Sequence, residues 1–190
     1  MSDQIDDEDK IPDYLKDNSD DAPEFLPDDP GDLQTFAAVP VESHLDIPTD
    51  GSVSGGLYMT HSTTRLYGTA KTINIIKKVG VEWVARHPNS AIGIGDISKR
   101  GGGPISGHAS HRKGVDFDVR PMRSDGQRKA ITIHDSAYSR QLTSELIGLF
   151  VSNGILRCTH VFFNDAALWK PPVQKWPNHD NHFHVRFVVG

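Results

Sequence analysis

A single cysteine, Cys158, stands in a chain of 190 residues, so no disulfide can form within it. The fold must hold by its core and by any metal it binds. No apolar run approaches the roughly 20 residues of a membrane span. The opening Met1-Ser2-Asp3-Gln4-Ile5-Asp6-Asp7 lacks the positive start and the apolar run of roughly 7–15 residues that mark a secretory signal. Work outside the cytoplasm would need another route of delivery. No His-Glu-x-x-His occurs, which argues against thermolysin-like zinc chemistry. No Gly-x-Ser-x-Gly elbow occurs, which argues against a serine hydrolase of that type. Cys158 lies within an apolar stretch, Ile155 to Phe163, and reads as a small core residue rather than a nucleophile. No internal repeat is present.

Apolar residues make up 36% of the chain, and the shortage is local. Residues 1–32 hold thirteen Asp and Glu against Lys10 and Lys16, a net −11. The whole chain is −5, so residues 33–190 carry +6. The acidic stretch also holds Pro12, Pro23, Pro27 and Pro30. It cannot bury enough apolar surface to offset the entropy of ordering, so a disordered arm is expected over 1–32. The plain expectation is a solvated arm; the sharper one is an arm that covers a basic groove and damps activity. Residues 33–190 suffice for one domain with its own core. A basic body attracts anionic partners. Neither a Lys/Arg run with interleaved aromatics nor a nucleic-acid motif occurs, so no nucleic-acid partner is expected, and none at a membrane.

Short strands and turns are expected over 33–60. Thr69 to His87 carries Ile73, Ile76, Val79, Trp83 and Val84 at helical spacing, with Thr69 or Thr72 as cap and His87-Pro88 as the stop. Gly80 falls inside it, at a cost of roughly 1 kcal/mol relative to alanine. Ala91–Ile97 reads as a buried strand. Ser98-Lys99-Arg100-Gly101-Gly102-Gly103-Pro104 reads as a loop, either a plain connection or a groove wall where Lys99 or Arg100 meets a carboxylate. Val115–Arg120 reads as a strand, Ser139–Asn153 as a helix with Gly154 past its end, and Ile155–Phe163 as a strand. Trp169 and Trp176 either pack the edge of the core or line a cleft. The pattern suggests an α+β domain, with one mainly antiparallel sheet flanked by helices.

Half of the ten histidines fall in two windows, Ser106–Arg120 and Asn178–Arg186. In the second, Phe183, Val185 and Phe187 alternate with His182, His184 and Arg186. That period of two places His182 and His184 on one face of a strand. In the first, Asp116 and Asp118 alternate with Val115, Phe117 and Val119 in the same way. Gly107 and Gly114 flank His111, which suits a turning loop that then enters a strand. A histidine from the loop, an aspartate from the strand after it and a histidine from a distant strand make three ligands. Three protein ligands with an open fourth position describe a catalytic zinc. His44, His61, His87, His134 and His160 lack partners at ligand spacing and read as surface or core histidines.

His111, Asp118 and the closing His182-Phe183-His184 resemble the zinc metallopeptidases grouped with lysostaphin and the D-Ala-D-Ala carboxypeptidases. Gly107-His108-Ala109-Ser110-His111, Asp116-Phe117-Asp118, His179-Asp180-Asn181-His182 and Ile94-Gly95-Asp96 resemble, more narrowly, the penicillin-insensitive murein endopeptidases. The resemblance runs from about residue 40 to the end. It implies Zn²⁺ held by His111, Asp118 and His184 on one sheet face, with His182 as catalytic base. His182 stands two residues from His184, within plausible reach of the metal's water. His108 and His179 match further family histidines, in catalysis or as supports for the ligands. Asp116 is either such a support, paired with Arg112 or Arg120, or an ordinary surface carboxylate. The implied substrate is peptidoglycan, cut at the cross-link between D-alanine and meso-diaminopimelate in the periplasm or wall. Delivery by a phage holin or a dedicated secretion machine fits the lack of a signal. The alternatives are a zinc carboxypeptidase or dipeptidase on stem peptides, and a non-catalytic wall-binding module with structural zinc.

Overall fold

The computed structural model describes residues 39–189. The arm expected over 1–32, and its border with the domain, lie outside them. In chain order the elements are β1 (Ser43–His44), β2 (Leu57–Met59), β3 (Tyr67–Gly68), α1 (Ala70–Arg86), β4 (Ile92–Ile94), β5 (Asp116–Val119), α2 (Arg140–Val151), β6 (Cys158–Phe162), β7 (Val173–Gln174) and β8 (Phe183–Phe187). β1 and β3 form a small antiparallel ribbon. The other six strands form one sheet in the order β2-β4-β5-β8-β6-β7. The four central strands pair antiparallel, and the two edge strands join parallel. The architecture is α+β, as the pattern suggests.

The sheet is amphipathic by alternation. Phe117, Val119, Val161, Phe163, Phe183, Val185 and Phe187 are buried on one face, in the same core as Ile73, Ile76 and Trp83 of α1 and Leu146, Ile147 and Phe150 of α2. Both helices therefore lie against that face. Phe117 packs against Phe150 and Phe187, with ring centroids 5.1 and 5.4 Å apart. Asp116, Asp118, His184 and Arg186 occupy the alternate positions and face the other way. Burial of the apolar face thus fixes the side on which the polar residues stand, because a slip of one residue would exchange the faces.

Helix α1 begins where the sequence places it. Thr69 is the cap, and its side chain accepts from the Thr72 amide. Gly80 has a packing reason. A Cβ there would lie 2.5 Å from the Gly55 carbonyl oxygen and 2.7 Å from the Leu57 side chain, so only glycine lets the turn before β2 approach the helix. Helix α2 is capped by Ser139, which accepts from the Leu142 amide. Past its end, buried Asn153 accepts from the Ile155 and Leu156 amides and donates to the Phe150 and Leu156 carbonyls. A side chain, beside the expected glycine, holds that turn. The strands are shorter than the alternation suggests, because ladder pairing ends where neighbouring strands end. β8 starts at Phe183, so His182 stands just before the strand and not within it.

Candidate metal centre

Strands β5 and β8 build the centre. Their register sets Asp118 opposite His184 and Asp116 opposite Arg186. His111 reaches the same point from the loop before β5. Its backbone adopts a left-handed conformation, φ 61°, which costs a non-glycine residue energy and persists where the surroundings impose it. They do so here. The Gly103 amide donates to the Arg112 carbonyl at 2.8 Å, the Thr69 amide donates to the Gly114 carbonyl at 3.0 Å, and His111 Nδ1 lies 2.9 Å from the Ile97 carbonyl oxygen. The glycine run 101–103 thus braces the histidine loop. Arg100 is engaged with Glu42 at 2.8 Å.

Three donor atoms converge. His111 Nε2 lies 3.1 Å from His184 Nδ1. Asp118 Oδ1 lies 3.2 Å from His184 Nδ1 and 3.3 Å from His111 Nε2. Neighbours dictate the tautomers. The Ile97 carbonyl only accepts, so His111 carries its proton on Nδ1 and presents a lone pair at Nε2. Asp116 Oδ1 lies 3.0 Å from His184 Nε2, so His184 donates there and presents its lone pair at Nδ1. Two lone pairs and a carboxylate oxygen thus face one another in a buried place, an arrangement that a cation among them would satisfy. Around a tetrahedral zinc with bonds of about 2.0–2.1 Å, neighbouring ligand atoms stand about 3.3–3.4 Å apart. The donor set and its spacing fit that ion.

His108, also buried, adds to the group. Ligand atoms of His108, His111 and Asp118 lie within 4.8 Å of one another, and these three can hold a metal ion. His108 is the looser member. Its Nε2 lies 2.8 Å from Asp96 Oδ2, and its Nδ1 lies 3.9 Å from Asp118 Oδ2. The tighter triangle includes His184 instead.

His182 Nδ1 lies 2.7 Å from Asn181 Oδ1, and its Nε2 lies 3.9 Å from Asp118 Oδ1, aimed at the centre. Buried His179 bonds through Nδ1 to the Pro177 carbonyl oxygen at 2.6 Å, and its ring stands 4.6 Å from that of His182. All six residues singled out as catalytic or metal-binding are therefore gathered in one place. Trp176 lies beside them, its ring 5.0 Å from that of Phe162, which in turn stands 5.5 Å from His184. Trp169 is largely exposed and donates its indole N–H to the Phe163 carbonyl.

Asp116 is buried rather than a surface carboxylate, and its arginine is Arg186, whose Nε donates to Oδ1 at 2.6 Å, in place of Arg112 or Arg120. Cross-strand register decides this, since Arg186 is its direct partner. Burial pushes the Asp116 carboxyl up, but the His184 hydrogen bond and the Arg186 charge outweigh it and hold the group well below the usual range. Asp118, buried among His111, His182 and His184, is likewise held low and stays a carboxylate.

Sequence reasoning missed a hub. Asp96 accepts from Arg65 at 2.8 Å and pairs with His61 at 2.6 Å as well as with His108. Burial raises its carboxyl, and hydrogen bonds from His108, His61 and Arg65 more than reverse that. His61 thus belongs to the periphery of the centre, whereas His44, His87 and His134 pair elsewhere, with Asp46, Glu145 and Asp180. The available signal was a carboxylate placed directly after a buried strand, in Ile94-Gly95-Asp96.

Fold and site together define a class: an α+β domain whose open sheet face gathers buried histidines and a carboxylate able to hold a metal. A family model described as penicillin-insensitive murein endopeptidase matches residues 41–147, over half of the chain, and the chain belongs to that family. The matched span includes His108, His111 and Asp118 and ends before His179, His182 and His184. The chain is 27% identical over 153 residues to the penicillin-insensitive murein endopeptidase of Haemophilus influenzae (strain ATCC 51907 / DSM 11121 / KW20 / Rd), covering 65% of this chain and 52% of that protein. It spans about half the length of that relative.

Proposed function

We propose that this domain is a zinc-dependent endopeptidase that hydrolyses peptide cross-links of peptidoglycan, at the bond from D-alanine to meso-diaminopimelate, in the periplasm or wall. The observation that carries the reading is the triangle of His111 Nε2, Asp118 Oδ1 and His184 Nδ1, with both imidazole lone pairs turned inward. Membership of the murein endopeptidase family supports the substrate class. No helix among the described residues is long and apolar enough to cross a membrane.

His111, Asp118 and His184 would hold the ion. Bound there, zinc supplies Lewis acidity toward a substrate carbonyl and toward water. The chain's own groups do the rest. Asp116 keeps His184 in the tautomer that ligates. His182 Nε2 takes a proton from the attacking water and returns it to the nitrogen of the broken amide. Asn181 holds the His182 ring through Nδ1. Asp96 orients His108, and His179 packs beside His182, so both line the place where the carbonyl would lie. No serine serves as nucleophile, so β-lactams, which acylate a serine, would not inhibit.

The test is a digest of cross-linked Gram-negative sacculi by the wild type, by the wild type with chelator, and by His182→Ala. Dimeric muropeptides should fall to monomers with the untreated wild type alone. His182→Ala should lose about 100- to 10,000-fold in kcat while metal analysis shows the zinc retained. Monomers that lose one alanine while dimers persist would establish the carboxypeptidase reading instead. Sacculus binding without any released fragment would favour the wall-binding module.

A further inference from the structure

The sheet face that carries the metal centre continues past it toward β2. The Gly95 amide donates to the Asp118 carbonyl at 2.8 Å, and the Arg120 amide donates to the Gly93 carbonyl at 3.0 Å. β4 therefore runs beside the chain from Asp118 as far as Arg120. Two residues of extended backbone separate Asp118 and Arg120, about 7 Å. There the surface has a small, shallow recess whose lining includes Tyr58, Gly93, Arg120, Arg123 and Gln127. A Cβ on Gly93 would lie 2.7 Å from Tyr58 Oη, so the phenol lies across the bare glycine and a side chain there would displace it.

The charges in the recess are unequal. Arg123 is neutralised in place, with Nε and Nη2 donating to the two Asp125 oxygens at 2.8 and 2.6 Å. Arg120 is half-buried, and among the described residues it has no carboxylate partner. The Tyr58 hydroxyl accepts a hydrogen bond from it, whereas Arg186 and Arg65 have carboxylate partners, Asp116 and Asp96. A guanidinium without a counter-ion attracts an anion. Its planar fork matches a carboxylate through two parallel hydrogen bonds. Burial pushes the Tyr58 phenol up, against the opposing influence of Arg120, so its hydroxyl stays a donor at neutral pH. One uncompensated positive charge beside a neutral hydroxyl and the Gln127 amide suits a monoanion better than a dianionic phosphate.

We infer that this recess is a carboxylate subsite, in which Arg120 and Tyr58 hold a carboxylate of the stem peptide whose scissile amide lies at the metal centre. The inference rests on the peptidase reading for its substrate. Arg120 follows Asp118 by two residues on the same sheet face, so that carboxylate belongs to a group close in the peptide to the amide that is cut. Its sources are therefore the terminal α-carboxylate of the peptide and the side-chain carboxylate of the diamino acid.

The test compares a cross-linked peptide dimer with two amidated forms, one blocked at each of those carboxylates. Binding to the full chain is measured by calorimetry with chelator present, so that the readout does not depend on cleavage. The wild type should bind the free acid about 10- to 100-fold more tightly than one of the two amides, the loss expected for a charge-assisted hydrogen-bonded pair. The amide that loses affinity identifies the carboxylate. In Arg120→Gln the acid and that amide should bind equally, Arg120→Lys should restore part of the preference, and Tyr58→Phe should reduce it. Unchanged thermal unfolding shows that the variants are folded. Equal affinity of the wild type for all three peptides, or a preference that survives Arg120→Gln, overturns the inference. A preference that depends on Arg120, in a protein that cuts none of the peptides once zinc is supplied, leaves the subsite standing and defeats the peptidase reading.

Discussion

Asp118 and His184 stand directly opposite each other on antiparallel strands, with His184 Nδ1 3.2 Å from Asp118 Oδ1. Their lone pairs meet because the far nitrogen of His184 is occupied by Asp116. One carboxylate faces the donor atom and the other sets the tautomer, and both come from the same strand at a spacing of two.

That division makes Asp116→Asn informative. The shape is kept, but the charge that holds the His184 proton on Nε2 is lost, and Arg186 loses its counter-ion. Zinc affinity should fall about 10- to 100-fold, read by competition with a chromogenic chelator. Unchanged affinity would mean that His184 does not ligate through Nδ1.

Phe117 lies between the two aspartates and points to the opposite face, fully buried against Phe150 and Phe187. Phe117→Ala should cost about 3–5 kcal/mol in denaturant unfolding, and metal binding should weaken with it because both aspartates ride on that strand. A loss below 1 kcal/mol would show that the reverse face is not the core.

Away from the centre, buried Asp165 accepts from Arg140 Nε at 2.6 Å and from Tyr138 Oη at 2.7 Å. Burial raises its carboxyl, but the Arg140 and Tyr138 hydrogen bonds outweigh this and leave it below the ordinary value. A depressed folded-state pKa stabilises above the unfolded value of about 3.9 and stops doing so as pH falls through the folded value. Asp165→Asn should therefore unfold about 1–2 kcal/mol more easily at pH 7, since Arg140 is largely exposed. The gap should close below about pH 3.9. A gap independent of pH would assign the effect to packing alone.

Burial pushes the Cys158 thiol up to about 12, so little thiolate exists at neutral pH. Cys158→Ala should keep the proposed hydrolytic activity in full, and iodoacetamide should label the native protein far more slowly than the unfolded one at pH 8. Inactivation by Cys158→Ala with metal retained would reopen a cysteine role.

Local pattern sufficed for much of this protein. Alternation in Val115–Val119 and Phe183–Phe187 showed which residues share a sheet face, because side chains of a strand point to opposite faces at every step. Thr69 was one of two hydroxyls, with Thr72, that marked the start of α1, because a hydroxyl before an apolar stripe supplies the acceptor that a helix start lacks. The two histidine windows pointed to a metal, because imidazole and carboxylate at strand spacing are its ligand types. Partner choice across the chain lay beyond local pattern. That Asp116 pairs with Arg186, that Asp96 gathers His61, Arg65 and His108, and that β2 and β7 join the sheet in parallel depend on register and on long-range packing. So does the left-handed backbone of His111, which local preference disfavours. Only the surrounding loop contacts, formed once β5 and its neighbours have packed, hold it there.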